Sequence, residues 1–318
     1  MVARVVKNVA EPLLVVLLGP TASGKTSLSI RLAERFEGEI VSCDSVAVYR
    51  GMEIGTAKPS REERVRVPHH LIDVYEVSEH STAGDYARRA RKAIAEIKAC
   101  RHLPIVTGGT GLYLRVLLEG LFAGPQRSEE LRERLLRSHG RHRAGWLHRM
   151  LERLDAAAAE RIHANDVPKL IRAIEVSLTS RRPMSEAWKE GREPLTGYRV
   201  LRIGLDPERQ TLYARINERA KRMFDAGLVE ETRVLVTKYG EGPRALDSLG
   251  YRQARAVLHG EMAPEAAIAA AQQGHRNYAK RQLTWFRREP EVHWLKGFGD
   301  NAAVASEAEE LVEQALGG

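Results

Sequence analysis

The sequence predicts an α/β fold: a central, mainly parallel sheet flanked by helices, with an all-helical insertion domain. Three observations predict it. Leu13 to Leu18 is a short apolar run, followed by a loop of small residues and then by helical periodicity from Ser27 to Ala33. Leu103 to Val106 runs in the same way into Gly108-Gly109-Thr110-Gly111 and a helical Leu112 to Leu118. Between Phe122 and Pro194, by contrast, no strand pattern occurs, and proline-containing breaks bracket the stretch at Gly124-Pro125 and Glu193-Pro194.

The first loop, Gly19-Pro20-Thr21-Ala22-Ser23-Gly24-Lys25-Thr26, meets the G-x-x-x-x-G-K-[ST] template at every fixed position and in strand–loop–helix context. It defines a P-loop NTPase-like core. Gly19 and Gly24 let the backbone turn tightly and bring its N–H groups to an anion, and the helix N-terminus adds partial positive charge. Lys25 supplies a full charge to phosphates, and the Thr26 hydroxyl suits Mg²⁺. These residues establish phosphate binding; whether a phosphoryl group is transferred or a diphosphate merely held stays open at this point.

Glu39 to Asp44 reads as a second buried strand ending in a carboxylate. In open α/β sheets ligands sit at that edge, which places Asp44 near the phosphate loop, although a plain turn or N-cap aspartate reads the same way. Val46 to Pro59 is a glycine- and proline-punctuated working loop. His69 to Val74 reads as a short strand whose two histidines lack a third ligand at metal spacing, and Thr82 to Ala99 as a helix with an arginine-rich outer side. The second glycine turn, Gly108 to Gly111, is expected to aim further backbone donors at the same crevice. Beyond the insertion, Tyr198 to Leu205 returns to strand character. Long helices over Gln210 to Val236 carry Arg215, Arg219 and Arg222, Val292 to Leu295 is a last strand, and Ala302 to Leu316 a closing helix. The expected division is 1–121 with 195–318 as the core and 122–194 as the insertion.

At 318 residues with 43% hydrophobic content the chain is long enough for about two packed domains. No apolar run approaches the roughly 20 residues of a membrane span, and Met1 to Pro12 lacks the layout of a signal peptide, so a cytoplasmic protein is expected. Cys43 and Cys100 share no metal-type spacing and read as reduced, packed thiols. Fifty Lys+Arg against 42 Asp+Glu leave a charge of +8, which fits a polyanionic partner. Leu131 to Met150 holds six arginines and three histidines with Glu133 as its single acid, and same-sign runs of this kind favour nucleic acid over a solvated helix face. In Arg276 to Arg288, cations and aromatics interleave, the combination that grips phosphates and stacks on unpaired bases; an amphipathic helix with snorkelling arginines would look the same.

Taken together, these stretches resemble the tRNA dimethylallyltransferases, the family that prenylates the N6 amine of an adenosine beside the anticodon. The resemblance rests on Gly19 to Thr26, Asp44-Ser45 with Val48-Tyr49, Gly51 to Pro59, Pro68-His69-His70, Gly108 to Tyr113, Gly250 to Gln253 and Ala279 to Arg287, in family order across nearly the whole chain. It implies that the loop holds the diphosphate of dimethylallyl diphosphate, that Mg²⁺ on Thr26 assists, and that ATP hydrolysis plays no part. It implies Asp44 as general base, with Thr110 beside the target base and Lys25 and Arg215 on the diphosphate. It places tRNA contacts on Asp44, Ser45, Val46, Ala47, Thr110, Arg132, Lys169, Arg172, Tyr251, Arg252, Lys280 and Arg281. The implied reaction gives N6-(dimethylallyl)adenosine at position 37 of tRNAs that read codons beginning with U, by a monomer with the anticodon stem-loop as partner. Two departures stand out: Ala47 sits where many members carry Gln, and Val167-Pro168-Lys169 replaces a usual Pro-Gln-Arg, keeping the charge without the planar fork. A small-molecule P-loop kinase and a nucleotide-switch RNA binder are the rival readings; the basic segments argue against the first and the absence of an N-K-x-D element against the second.

Overall fold

The computed structural model describes residues 11–317 except 123, 126 and 190; the start of the chain, read above for a signal peptide, lies outside the described residues up to Ala10. Six strands, β1 (Leu13–Leu18), β2 (Gly38–Cys43), β3 (His69–His70), β4 (Leu103–Gly108), β5 (Arg199–Leu205) and β6 (Val292–Leu295), form one sheet in the order β3-β2-β4-β1-β5-β6. Every pairing is parallel. A parallel strand in the middle of such a sheet is covered on both faces, which is why β1 is apolar at all six positions and buried throughout. One face packs Leu28 and Leu32 of the helix Lys25–Arg35 against Val15, Ile40 and Ile105, joined by Val304, Ala308 and Val312 of the closing helix Ala302–Gly317. The closing helix is further fixed by Glu309, which accepts from Arg31 Nε at 2.5 Å and Arg35 Nη1 at 3.1 Å.

The chain divides into two compact units, Met1–Leu117 with Leu195–Gly318, and Leu118–Pro194. The second contains only helices among its described residues. Its core gathers Leu135, Leu147, Leu151, Leu170, Ile171 and Ile174.

Two local expectations differ. The strand read over His69 to Val74 ends after His70, because Leu71 (φ 64°) and Asp73 (φ 56°) adopt left-handed backbone that no strand accommodates. The long helices expected over Gln210 to Val236 are present as Arg209–Asp225 and Leu228–Tyr239, separated at Gly227 (φ 99°). Cys100 is exposed rather than packed, whereas Cys43 is buried and desolvation pushes its thiol up to about 12, far from a nucleophile's range.

Candidate active site

The parallel sheet delivers the carboxyl ends of β1, β2 and β4 to one edge, and with them the phosphate loop, Asp44 and the second glycine turn. Gly24 stands at φ 85°, and a Cβ there would come within 2.8 Å of the backbone nitrogens of Gly299 and Asp300, so the loop closes only around glycine. Lys25 opens its helix, and its Nζ donates to the carbonyls of Gly19 at 2.9 Å and Pro20 at 2.7 Å. Although part of the side chain faces the cavity, desolvation and the nearby Arg219 charge, only partly offset by Asp44, lower the Lys25 ammonium to about 7.

Asp44 follows β2 directly. Its Oδ1 accepts the N–H groups of Val46 at 2.8 Å and Ala47 at 3.1 Å, so the turn fixes the carboxylate, and the capping geometry foreseen from the sequence coexists with a place in the cavity wall. Thr110 pins the same turn: its Oγ1 accepts from the Ser45 N–H at 3.0 Å.

The second glycine turn borders the first cavity through Gly108 and Gly109, and its glycines also serve close packing. A Cβ on Gly108 would lie 2.1 Å from the Cys43 carbonyl oxygen, on Gly109 2.1 Å from Gln282 Nε2, and on Gly111 2.4 Å from the Trp285 ring. The glycines admit the helix Pro264–Phe286 at close range. Tyr278 Oη and Gln282 Nε2 donate to the Gly109 carbonyl at 3.1 and 2.9 Å, while Gln282 Oε1 accepts from the Thr21 N–H at 2.7 Å. One helix is thereby tied to both glycine turns.

Two adjoining cavities result. The first, of about 700 Å³, is lined by loop residues Thr21 to Thr26 together with Asp44, Ala47, Lys58, Arg215, Arg219, Arg222 and Tyr278. The second, of about 350 Å³, is lined by Asp44, Ser45, Val46, Arg219, Arg252, His275, Tyr278 and Arg281, among others. Thr21, Asp44, Arg219 and Tyr278 border both.

The cationic side of the first cavity comes from Arg215, Arg219 and Arg222, which share one face of the helix Arg209–Asp225 at i, i+4 and i+7. Arg215 is the outer member: its Nη1 holds both carboxylate oxygens of Asp300, at 2.9 and 2.8 Å, and its guanidinium lies 3.7 Å from the Phe298 ring centre. Arg219 goes deepest, donating to Thr21 Oγ1, and burial lowers even this guanidinium to about 10. The sequence named Arg219 only as one of several basic helix residues. Its role was missed, and the i, i+4, i+7 spacing with Arg215 and Arg222 is the signal that could have marked it.

The remaining expected residues separate into groups. Arg252 and Arg281 are exposed at the second cavity, and Lys280 is exposed on the same helix as Arg281. Tyr251 is a correction as an RNA contact: it is fully buried, its hydroxyl donating to Glu231 Oε1 at 2.5 Å and accepting from the Gly55 N–H at 3.2 Å. That packing explains two motifs together, because a Cβ on Gly55 would sit 2.3 Å from the Tyr251 ring. In the helical unit, Arg132 and Arg172 are engaged by the wholly buried Glu175, at 3.1 Å and 2.7 Å, so both guanidiniums serve its interior first. Lys169 is exposed and pairs with Asp166 at 2.5 Å. Arg134, Arg137, Arg141 and Arg143 are exposed and make no ion pair among the described residues.

The family model for IPP transferase matches residues 47–289 of this chain. The chain belongs to the IPP transferase family. It is 65% identical over 304 residues to the tRNA dimethylallyltransferase of Koribacter versatilis (strain Ellin345), covering 96% of this chain and 99% of that one. The Solibacter usitatus (strain Ellin6076) protein of the same name is 52% identical over 305 residues, with coverage of 96% and 99%. Among solved structures, the tRNA isopentenylpyrophosphate transferase of Bacillus halodurans is similar with a TM-score of 0.71 and 36% identity, covering 96% of each chain. A eukaryotic dimethylallyltransferase shares the fold alone, with a TM-score of 0.81 at 23% identity over 95% of this chain and 80% of that one. Asp44 lines both cavities of this chain.

Proposed function

We propose that this chain transfers the dimethylallyl group of dimethylallyl diphosphate to N6 of adenosine 37, beside the anticodon of tRNAs reading codons that begin with U. It does so as a cytoplasmic monomer, where tRNA is met and where a single chain lines both cavities. The observation that carries the proposal is the shared wall: Asp44 and Arg219 border both the phosphate-loop cavity and the cavity edged by Arg252 and Arg281. A donor held from one side and a nucleotide entering from the other would meet at Asp44.

The chemistry follows from the groups in place. The N6 lone pair forms the bond to the allylic carbon, the bond from that carbon to the diphosphate oxygen breaks with its electron pair, and the N6 proton passes to the Asp44 carboxylate. A positioned general base contributes about 10²- to 10⁴-fold. Lys25, the loop N–H groups and Arg219 stabilise the charge growing on the leaving diphosphate, Arg215 at the outer edge adding to the field. Thr26 lines the cavity at the helix start, and among the described residues no cluster of three His, Cys, Asp or Glu forms an all-protein metal cage. The Thr26 hydroxyl would hold Mg²⁺, which takes few protein ligands, and the ion would supply further neutralisation of the diphosphate. The acceptor base must leave its stack, at a cost of a few kcal/mol that is least in a single-stranded loop. In the helical unit, the exposed Arg134, Arg137, Arg141 and Arg143 offer phosphate contacts to the same RNA.

The test is digestion of tRNA to nucleosides after incubation with the chain, dimethylallyl diphosphate and Mg²⁺, followed by mass spectrometry. N6-(dimethylallyl)adenosine at position 37 is the expected product; unmodified adenosine there would refute the proposal.

A further inference from the structure

The helix Pro264–Phe286 presents three polar side chains, His275, Tyr278 and Gln282, at i, i+3 and i+7 on the face turned toward the cavities. Two spend their polar atoms on the protein: Gln282 bridges Thr21 and Gly109, and Tyr278 Oη donates to Gly109. His275 differs. It is 7% exposed, it lines the second cavity, and its Nε2 is buried with no hydrogen-bond partner among the described residues. A buried polar atom without a partner forfeits its hydration for nothing in return, and one that borders a cavity is placed to be completed by what fills it.

We propose that His275 Nε2 hydrogen-bonds the acceptor nucleotide in the second cavity and so determines its pose at Asp44. This rests on the function proposed above. The occupant is a purine nucleotide of RNA, because the cavity ends at the Asp44 carboxylate and opens past Arg252 and Arg281, whose charges suit the flanking phosphates. Burial and the neighbouring Arg219 charge hold the imidazole down at about 4, so it stays neutral in use and adds no cation beside Lys25 and Arg219. A neutral ring carries one N–H and one lone pair, which gives it a definite sense of recognition toward a base edge or a ribose hydroxyl. His275 is a specificity-determining residue for the acceptor, not for the diphosphate.

The test compares the parent enzyme with His275→Phe, which keeps the ring and removes its nitrogens. Substrates are anticodon stem-loops whose target adenosine lacks one group at a time: 7-deaza, 3-deaza and 2′-deoxy. For the intact stem-loop, kcat/KM falls about 10- to 100-fold in the variant, while Kd for dimethylallyl diphosphate stays within about twofold. One of the three deletions costs the parent about tenfold and costs the variant nothing further. The proposal is overturned if kcat/KM stays within about twofold of the parent, if the loss appears in donor Kd, or if every deletion costs variant and parent alike. If the Phe variant does not fold, His275→Leu, which also removes the ring nitrogens, enters the same comparison, and deletion costs identical to the parent's would overturn the proposal. Because the parent's own turnover is measured first, failure of the proposed function is seen separately.

Discussion

Lys25 offers a prediction that is worked directly from the geometry. Desolvation by burial and the nearby Arg219 charge, only partly offset by Asp44, bring its ammonium from 10.5 to about 7, while its Nζ donates to Gly19 O and Pro20 O. At about 1.4 kcal/mol per tenfold, that displacement amounts to about 5 kcal/mol in favour of the neutral amine. On the proposed function, dimethylallyl diphosphate would bring negative charge to the same loop and restore the ordinary protonation. The sign follows. Lysine is lowered in the free protein and raised in the complex, so binding takes up a proton between pH 7 and the complexed value, and affinity weakens as pH rises through that window. Titration calorimetry without tRNA, in buffers of different ionisation enthalpy at pH 8 where the donor is fully ionised, should show uptake of close to one proton. Kd should rise about tenfold from pH 7.5 to 8.5. Arg219→Met removes the like charge, moves the inflection to higher pH and reduces uptake at pH 8. Uptake near zero in the parent at pH 8, with Kd flat from 7.5 to 8.5, would refute the argument.

Three further outcomes follow from the same contacts. Asp44→Asn keeps the turn hydrogen bonds and removes the proposed base, so single-turnover transfer should fall by about 10²- to 10⁴-fold while tRNA Kd changes less than about threefold; equal losses in both would remove Asp44 from the proton transfer. Arg281→Ala should weaken tRNA binding and make the plot of log K against log salt shallower by about one, and an unchanged slope would exclude a phosphate contact. Glu175→Gln removes the buried negative charge shared by Arg132 and Arg172 and leaves one acceptor oxygen where there were two, which should cost about 3 kcal/mol in urea unfolding at pH 7. Burial alone would raise Glu175, but the Arg132, Arg172 and Ser128 hydrogen bonds outweigh it and leave it lowered. Its stabilisation is therefore present above the ordinary 4.5 and lost as pH falls through the lower folded value, so parent and variant should converge in acid.

The phosphate loop was legible in the sequence because its chemistry is local: eight consecutive residues set the turn, the charge and the helix start. Asp44 was placed by sheet logic, since a buried strand must end at the ligand edge. What stayed hidden depends on partners far along the chain. Tyr251 reads as a surface aromatic in a basic stretch until Gly55 and Glu231, nearly 200 and 20 residues away in sequence, close around it. Arg132 and Arg172 look free until Glu175 appears between them in the fold. Gly108 to Gly111 repeats the first loop's spelling, yet the Cys43 backbone is what requires Gly108, and the helix Pro264–Phe286 what requires Gly109 and Gly111. His275 lacked any signal, because an unpaired nitrogen is defined by every atom around it.

The central claim is that the loop cradles a departing diphosphate and donates no phosphoryl group. It is tested most directly by incubating the chain with tRNA and Mg²⁺ and either dimethylallyl diphosphate labelled in its prenyl group or γ-labelled ATP. Label entering RNA from the prenyl donor alone is the predicted result. Label moving from ATP to any acceptor, with none from the prenyl donor, would contradict the account.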